Sequence, residues 1–245
     1  MHTNSRQGPG APGREAFREF IQVAGIRDWE EARMLMDCGV QYLGFPLRLP
    51  VHQEDLSEAQ AARIIRSIRP PARGVAITYL DDADDVARFT DDLGASIVQL
   101  HGDVSAGELK RLGHLRPALR IIKSLVVGQH DYEYLVEQVH RAGGLVDAFI
   151  TDTFDPETGA SGATGRTHDW RVSRRLVDLS PKPVILAGGL DPDNVREAIL
   201  SVAPAGVDAH TGLEDASGRK DRAKVLRFIA EARKGFQLVG ASRGA

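Results

Sequence analysis

The chain predicts a single-domain (β/α)8 barrel of the TIM type, and three observations carry that expectation. Short apolar runs alternate with amphipathic stretches eight times along the 245 residues, most of the runs end at a glycine or a polar residue, and the connections between them are mostly short. Buried parallel strands read as aliphatic and β-branched runs of this kind. Parallel neighbours need right-handed crossovers, and eight such units in ~200–250 residues favour closure. The competing arrangement, an open doubly wound sheet, would be favoured by a Gly-x-Gly-x-x-Gly turn after the first strand. Ala24-Gly25-Ile26 does not supply one.

Composition bounds the rest. Hydrophobic residues make up 42% and charged residues 27%, ordinary for a globular chain with a sizeable core. Lys and Arg (31) nearly balance Asp and Glu (34), so no basic stripe suggests a nucleic-acid partner. The lone cysteine, Cys38, excludes an intrachain disulfide and fits a reducing cytoplasm. No stretch approaches the ~18 apolar residues of a membrane span. Residues 1–18 begin rich in Gly and Pro, without the apolar core of a secretory signal, and are expected as a flexible tail. Residues 19–236 form the barrel and 237–245 a second tail. A monomer or homodimer is expected.

In chain order, the strand candidates are 20–26, 41–47, 74–79, 96–101, 120–127, 146–153, 183–187 and 206–210. Asp28 caps the first helix, whose Trp29, Ala32, Leu35 and Met36 recur on one face, and Gly39 stops it. Ser57-Glu58-Ala59-Gln60 and Ser105-Ala106-Gly107-Glu108 both match a capping box, in which hydroxyl and acidic or amide side chain satisfy backbone donors reciprocally. Asp169 and Asp191 are further N-caps, the latter followed by Pro192 at the first helical position. Gly94, Gly143 and Gly235 mark helix ends.

In a barrel of this kind the working residues lie at the C-terminal strand ends. Strand seven ends in Leu186-Ala187-Gly188-Gly189-Leu190, and strand eight in Asp208-Ala209-His210-Thr211-Gly212-Leu213-Glu214. Glycines there let backbone N–H groups approach an anion, and this pair of strand ends is where such barrels frequently hold phosphate. Gly188, Gly189, Thr211 and Gly212 are the candidate phosphate ligands. The small-residue stretch 157–166 suits a mobile lid or a further backbone cradle, with Gly165 as its candidate contact.

Together these residues resemble the phosphoribosylanthranilate isomerase family, a tryptophan-biosynthesis barrel that performs an Amadori rearrangement. The resemblance rests on Val98-Gln99-Leu100-His101-Gly102, Phe149-Ile150-Thr151-Asp152-Thr153, Gly162-Ala163-Thr164-Gly165 with Asp169-Trp170, the Leu186–Leu190 run with Asn194-Val195, Gly206-Val207-Asp208, and Gly218-Arg219-Lys220-Asp221. It implies an aldose–ketose isomerase acting on a small phosphorylated sugar derivative, with no cofactor, because the shift moves protons without external electrons. Such chemistry needs an acid to protonate the ring oxygen and a base to remove the C2 proton. Asp152 matches the family's acid and would need a raised pKa.

Three positions depart from the pattern. Gln22-Val23-Ala24-Gly25 stands where the family carries Lys-x-Cys-Gly, so a methyl group replaces the thiolate base. Glu54, or Gln53, stands where the family's arginine holds the anthranilate carboxylate, leaving Arg48 in the same loop as the candidate substitute. His210 stands where a small hydroxyl residue is usual, and is the candidate replacement base. A substrate retuned to another phosphorylated sugar, or a non-catalytic sugar-phosphate binder, are the alternatives that these departures raise. Lys123 as a Schiff-base lysine and a His52/His101/His210/Asp152 metal set are the lesser ones, and no metal ligand is assigned.

Overall fold

The computed structural model describes residues 17–50, 54–157, 160–161, 165 and 167–243. Its strands are β1 (Phe20–Ala24), β2 (Tyr42–Pro46), β3 (Arg73–Thr78), β4 (Ile97–Leu100), β5 (Arg120–Val127), β6 (Ala148–Asp155), the two-residue β7 (Ala160–Ser161), β8 (Val184–Leu186) and β9 (Gly206–Ala209). The helices are α1 (Trp29–Asp37), α2 (Glu58–Ser67), α3 (Ala83–Leu93), α4 (Ala106–Leu115), α5 (Tyr132–Ala142), α6 (Trp170–Leu179), α7 (Val195–Val202) and α8 (Arg222–Arg243). Every strand except β7 pairs in parallel with two neighbours, and the β5–β6 and β1–β9 pairings close the ring. All eight expected barrel strands are present. β7 is a small antiparallel addition to the end of β6.

Side chains alternate across each strand, so one parity lines the barrel and the other meets the helices. Phe20, Val75, Ile97, Ile122, Ala148, Ile150 and Ile185 fill the interior. Phe17 is buried below them, its ring 5.6 Å from Phe20, which stacks at 4.0 Å on Tyr42. Residue 17 therefore belongs to the barrel floor and not to the expected tail. Residues 1–16 lie outside the described residues. The opposite parity packs against the helices, with Val23, Leu43, Ala76, Val98, Phe149 and Val207 in the outer core. No described helix is long and apolar enough to cross a membrane.

The caps follow the sequence with instructive exceptions. Asp28 accepts from the Glu31 amide at 2.8 Å, Asp169 accepts from the Arg171 amide at 3.0 Å, and Ser57 with Gln60 forms the full capping box. Ser105 makes only half of one. Its hydroxyl accepts from the Glu108 amide, but the Glu108 carboxylate accepts instead from the Ala83 amide at 2.8 Å and braces α4 against α3. Asp191 caps a turn that precedes α7, accepting from the Asp193 and Asn194 amides, while the helix proper begins at Val195. Gly39 and Gly94 sit left-handed at helix ends as expected, and Gly143 ends α5 in right-handed geometry.

Gly235 does not end a helix. It lies within α8, where a Cβ would come 3.0–3.2 Å from Ile199 of α7, so the glycine serves close helix contact. Consequently the segment from 237, expected as a tail, continues α8 to Arg243.

Candidate active site

The C-terminal strand ends enclose a cavity of about 410 Å³. Strand parity decides what faces it. Ala24, Ile77, Gln99, His101, Asp152 and Asp208 all have inward parity and line it, as do Gly165, Gly188, Gly189, His210, Thr211 and Gly212 from the loops.

Asp152 sits near the end of β6, 6% exposed, with Oδ1 accepting the Thr153 amide at 2.7 Å. Burial pushes its carboxyl up to about 7, a rise that this one hydrogen bond only partly offsets. Asp208 is the second buried carboxyl. Burial, then the charge of Asp152, raise it to about 7, while Gln22 and Lys220 pull in the opposite direction. Its Oδ1 is enclosed without a hydrogen-bond partner among the described residues. Asp208 was missed as a candidate by sequence reasoning. The parity that makes His210 inward-facing also selects Asp208, two residues earlier.

Below the carboxyls a polar chain crosses the barrel. Gln22 Nε2 donates to Gln99 Oε1 at 2.9 Å, and Gln99 Nε2 lies 2.7 Å from His101 Nε2. An amide nitrogen can only donate, so His101 Nε2 accepts, and Nδ1 carries the hydrogen that faces Ser124 Oγ at 3.3 Å. Burial and the nearby Lys123 charge lower the His101 pKa to about 3, which keeps the ring neutral and structural. Lys123 has the opposite parity. It is buried behind the strand, donates to the Ser124 carbonyl at 3.0 Å, and does not line the cavity, so it forms no Schiff base there.

His210 lies at the rim, its ring occupying the space that a Cβ on Gly25 would need. Its Nε2 is 3.4 Å from Glu214, which also accepts from Lys220 Nζ at 2.7 Å. No group of three or more His, Cys, Asp and Glu among the described residues is arranged to hold a metal ion, and His52 lies outside them.

Across the cavity the two glycine-bearing strand ends meet. Gly188 has φ +96°, and a Cβ there would overlap the Thr153 hydroxyl and press on His168. At Gly212 a Cβ would overlap the Leu190 carbonyl. Asn194 pins the first loop, donating to the Gly189 carbonyl at 2.8 Å and accepting from the Asp191 amide at 3.0 Å. Among the described residues, the amides of Gly188, Gly189, Thr211 and Gly212 donate to no protein acceptor. Backbone amides left without an internal acceptor at a strand exit are the kind of group to which anions bind. Gly165, at φ +67°, reaches the same cavity opposite Thr211. Of its loop, residues 158–159, 162–164 and 166 lie outside the described residues.

Arg48 does not join the site. Its guanidinium pairs with Glu58 at 2.7 and 3.0 Å and lies 4.8 Å over the Phe89 ring, away from the cavity. Glu54 accepts from the Arg48 amide, and Gln53 lies outside the described residues. Among the described residues, Arg27 lines the cavity; it follows β1, donates to the Ser217 carbonyl at 2.9 Å and lies 3.9 Å from Asp55. The tight turn after Ala24 gave sequence reasoning no signal of where this side chain would reach.

Fold and site define a class: a (β/α)8 barrel whose last two barrel strand ends present backbone amides without internal acceptors among the described residues, with buried acids facing the same cavity. The family model for N-(5'-phosphoribosyl)anthranilate (PRA) isomerase matches residues 21–231. The chain belongs to that family. Among relatives, N-(5'-phosphoribosyl)anthranilate isomerase 2 of Methanosarcina mazei is 38% identical over 88% of this chain and 95% of its own length. The isomerase of Methanothrix thermoacetophila is 33% identical over 87% and 97%. Among solved structures, phosphoribosyl anthranilate isomerase from Thermotoga maritima superposes with a TM-score of 0.73 at 26% identity, covering 87% of this chain and 98% of that one. That from Thermococcus kodakaraensis gives 0.71 at 27% identity, covering 88% and 99%.

Proposed function

We propose that this chain is an aldose–ketose isomerase of tryptophan biosynthesis, converting N-(5'-phosphoribosyl)anthranilate to the corresponding aminoketose. Family membership and the names of its relatives support the reaction. The observation that carries the chemistry is Asp152, a buried carboxyl facing the cavity that keeps its proton until about pH 7.

In this reading the amides of Gly188, Gly189, Thr211 and Gly212 hold the phosphate, with Gly165 closing over it. The fixed phosphate sets the ribose across the barrel mouth, so that Asp152 can protonate the ring oxygen as the C1–O bond breaks and the amine nitrogen forms a C1=N double bond. Loss of the C2 proton then gives an enolamine, which becomes the ketone. In this reading the aryl group lies toward Ile77, Pro46 and Leu49, in the cavity that Arg27 also lines. Ala24 cannot accept a proton, so the base comes from the inward-facing residues of the last strand and its exit, where His210 and Asp208 stand. A phosphorylated sugar derivative as the partner, and a reducing cytoplasm as the compartment, belong to this proposal.

Two measurements test it. The chain should restore growth without tryptophan to a strain lacking this isomerase, and the purified protein should convert N-(5'-phosphoribosyl)anthranilate to the aminoketose. A folded protein with no turnover refutes the assignment.

A further inference from the structure

The isomerisation proposed for this chain leaves its base unassigned between two groups. Resting on that isomerase reading, we infer that Asp208 takes the C2 proton, standing in for the base whose position is occupied by the Ala24 methyl.

Position comes first. β9 pairs with β1 in the register Gln22↔Asp208 and Val23↔Ala209, so Asp208 stands beside Gln22, one inward-facing position below the level of Ala24 on the adjacent strand, and lines the cavity. Ala24 is 4% exposed and lines the same cavity.

Hydrogen bonding comes second. The large majority of buried side-chain polar atoms have at least one hydrogen-bond partner. Asp208 is 8% exposed, yet its Oδ1 has no partner among the described residues, and Gln22 is its side-chain hydrogen-bonding neighbour. Gln22 is itself held by Gln99, Gln99 by His101, and His101 by Ser124. The chain fixes the carboxyl without saturating it, and an undersolvated carboxylate is a stronger base than one in water.

The charged groups acting on it are Asp152 from β6, which raises its pKa, and Lys220 from the turn before α8, which lowers it. β1 offers it only Gln22 and Ala24, and β8 the apolar Ile185 and Ala187. Asp152 and Asp208 both titrate near 7, so near neutrality the pair holds one proton between them, one acid and one base. His210 is placed differently, with its Nε2 against Glu214 at the rim.

The steps balance within the pair. Asp152 gives its proton to the ring oxygen, and the nitrogen lone pair forms C1=N as C1–O breaks. The Asp208 carboxylate takes the C2 proton, the C2–H electrons form C1=C2, and the C=N pair returns to nitrogen. Asp208 then delivers its proton to C1 while the Asp152 carboxylate takes the enol proton from O2, giving the ketone and restoring both groups.

The test compares Asp208→Asn, Asp208→Glu and His210→Gln in the full chain with phosphoribosylanthranilate, folding being checked by urea unfolding. Asp208→Asn should lower kcat by ~10²–10⁴ with KM within a few-fold, and should remove the acid limb of the pH–rate profile. Asp208→Glu should recover part of the loss. His210→Gln should lose less and keep the acid limb. Added formate should raise the rate of Asp208→Ala by supplying a small carboxylate. Undiminished kcat in Asp208→Asn, or loss of the acid limb only in His210→Gln, overturns the assignment of Asp208 while leaving the isomerase reading standing. A folded wild-type chain without turnover overturns both.

Discussion

Replacing Asp152 with asparagine should make this protein more stable at alkaline pH. The carboxyl titrates at about 7 in the folded chain against an ordinary value of 3.8. Below pH 3.8 it is protonated in both states and favours neither. Between 3.8 and 7 only the unfolded chain ionises, so stability falls as pH rises. Above 7 both states are ionised and the penalty stays constant. Roughly three units at ~1.4 kcal/mol each place that penalty at ~4 kcal/mol. Asparagine keeps the carbonyl oxygen that accepts the Thr153 amide and carries no charge to desolvate. In urea unfolding followed by circular dichroism, the stability gap between Asp152→Asn and wild type should therefore widen from pH 4 to pH 7 and then level off. At pH 8 it corresponds to roughly 10 °C in Tm for a chain of this size. A gap that is the same at pH 4 and pH 8 would refute the buried, only partly compensated acid on which the proposed chemistry depends.

Other substitutions separate cradle, surface and floor. Gly188→Ala forces a side chain onto Thr153 at φ +96°, and should weaken binding of inorganic phosphate at least ~10-fold by calorimetry. Arg48→Ala removes a half-exposed pair with Glu58 and a ring contact outside the cavity, so kcat/KM should stay within about twofold while stability falls by ~1 kcal/mol or less in urea. Phe17→Ala should cost ~3–5 kcal/mol in the same assay with KM unchanged, because it empties the barrel floor, remote from the cavity.

The same residues show what a sequence of this kind discloses and what it withholds. The eight barrel strands were readable because buried parallel strands need unbroken apolar runs, and the glycines at Gly188 and Gly212 were readable because backbone approach tolerates no Cβ. Asp208 was recoverable: period-two parity from Gly206 passes through 208 to 210. Arg48 was not, because the path of a long side chain depends on residues brought together only by folding. Glu58 on α2 and Phe89 on α3 draw it outward, while Arg27, distant in sequence from Ser217, reaches the mouth. Gly235 misled for a related reason. A helix-ending glycine and a helix-packing glycine are alike in sequence, and only the neighbouring Ile199 distinguishes them.

The most direct test is the pH dependence of kcat/KM for phosphoribosylanthranilate in wild type and Asp152→Asn. A protonated acid and an ionised base titrating close together predict a maximum near neutrality, falling on both sides, and a rate ~10²–10⁴ lower in the variant. A variant that turns over as fast as wild type, or a wild-type rate still climbing at pH 9, would contradict the account.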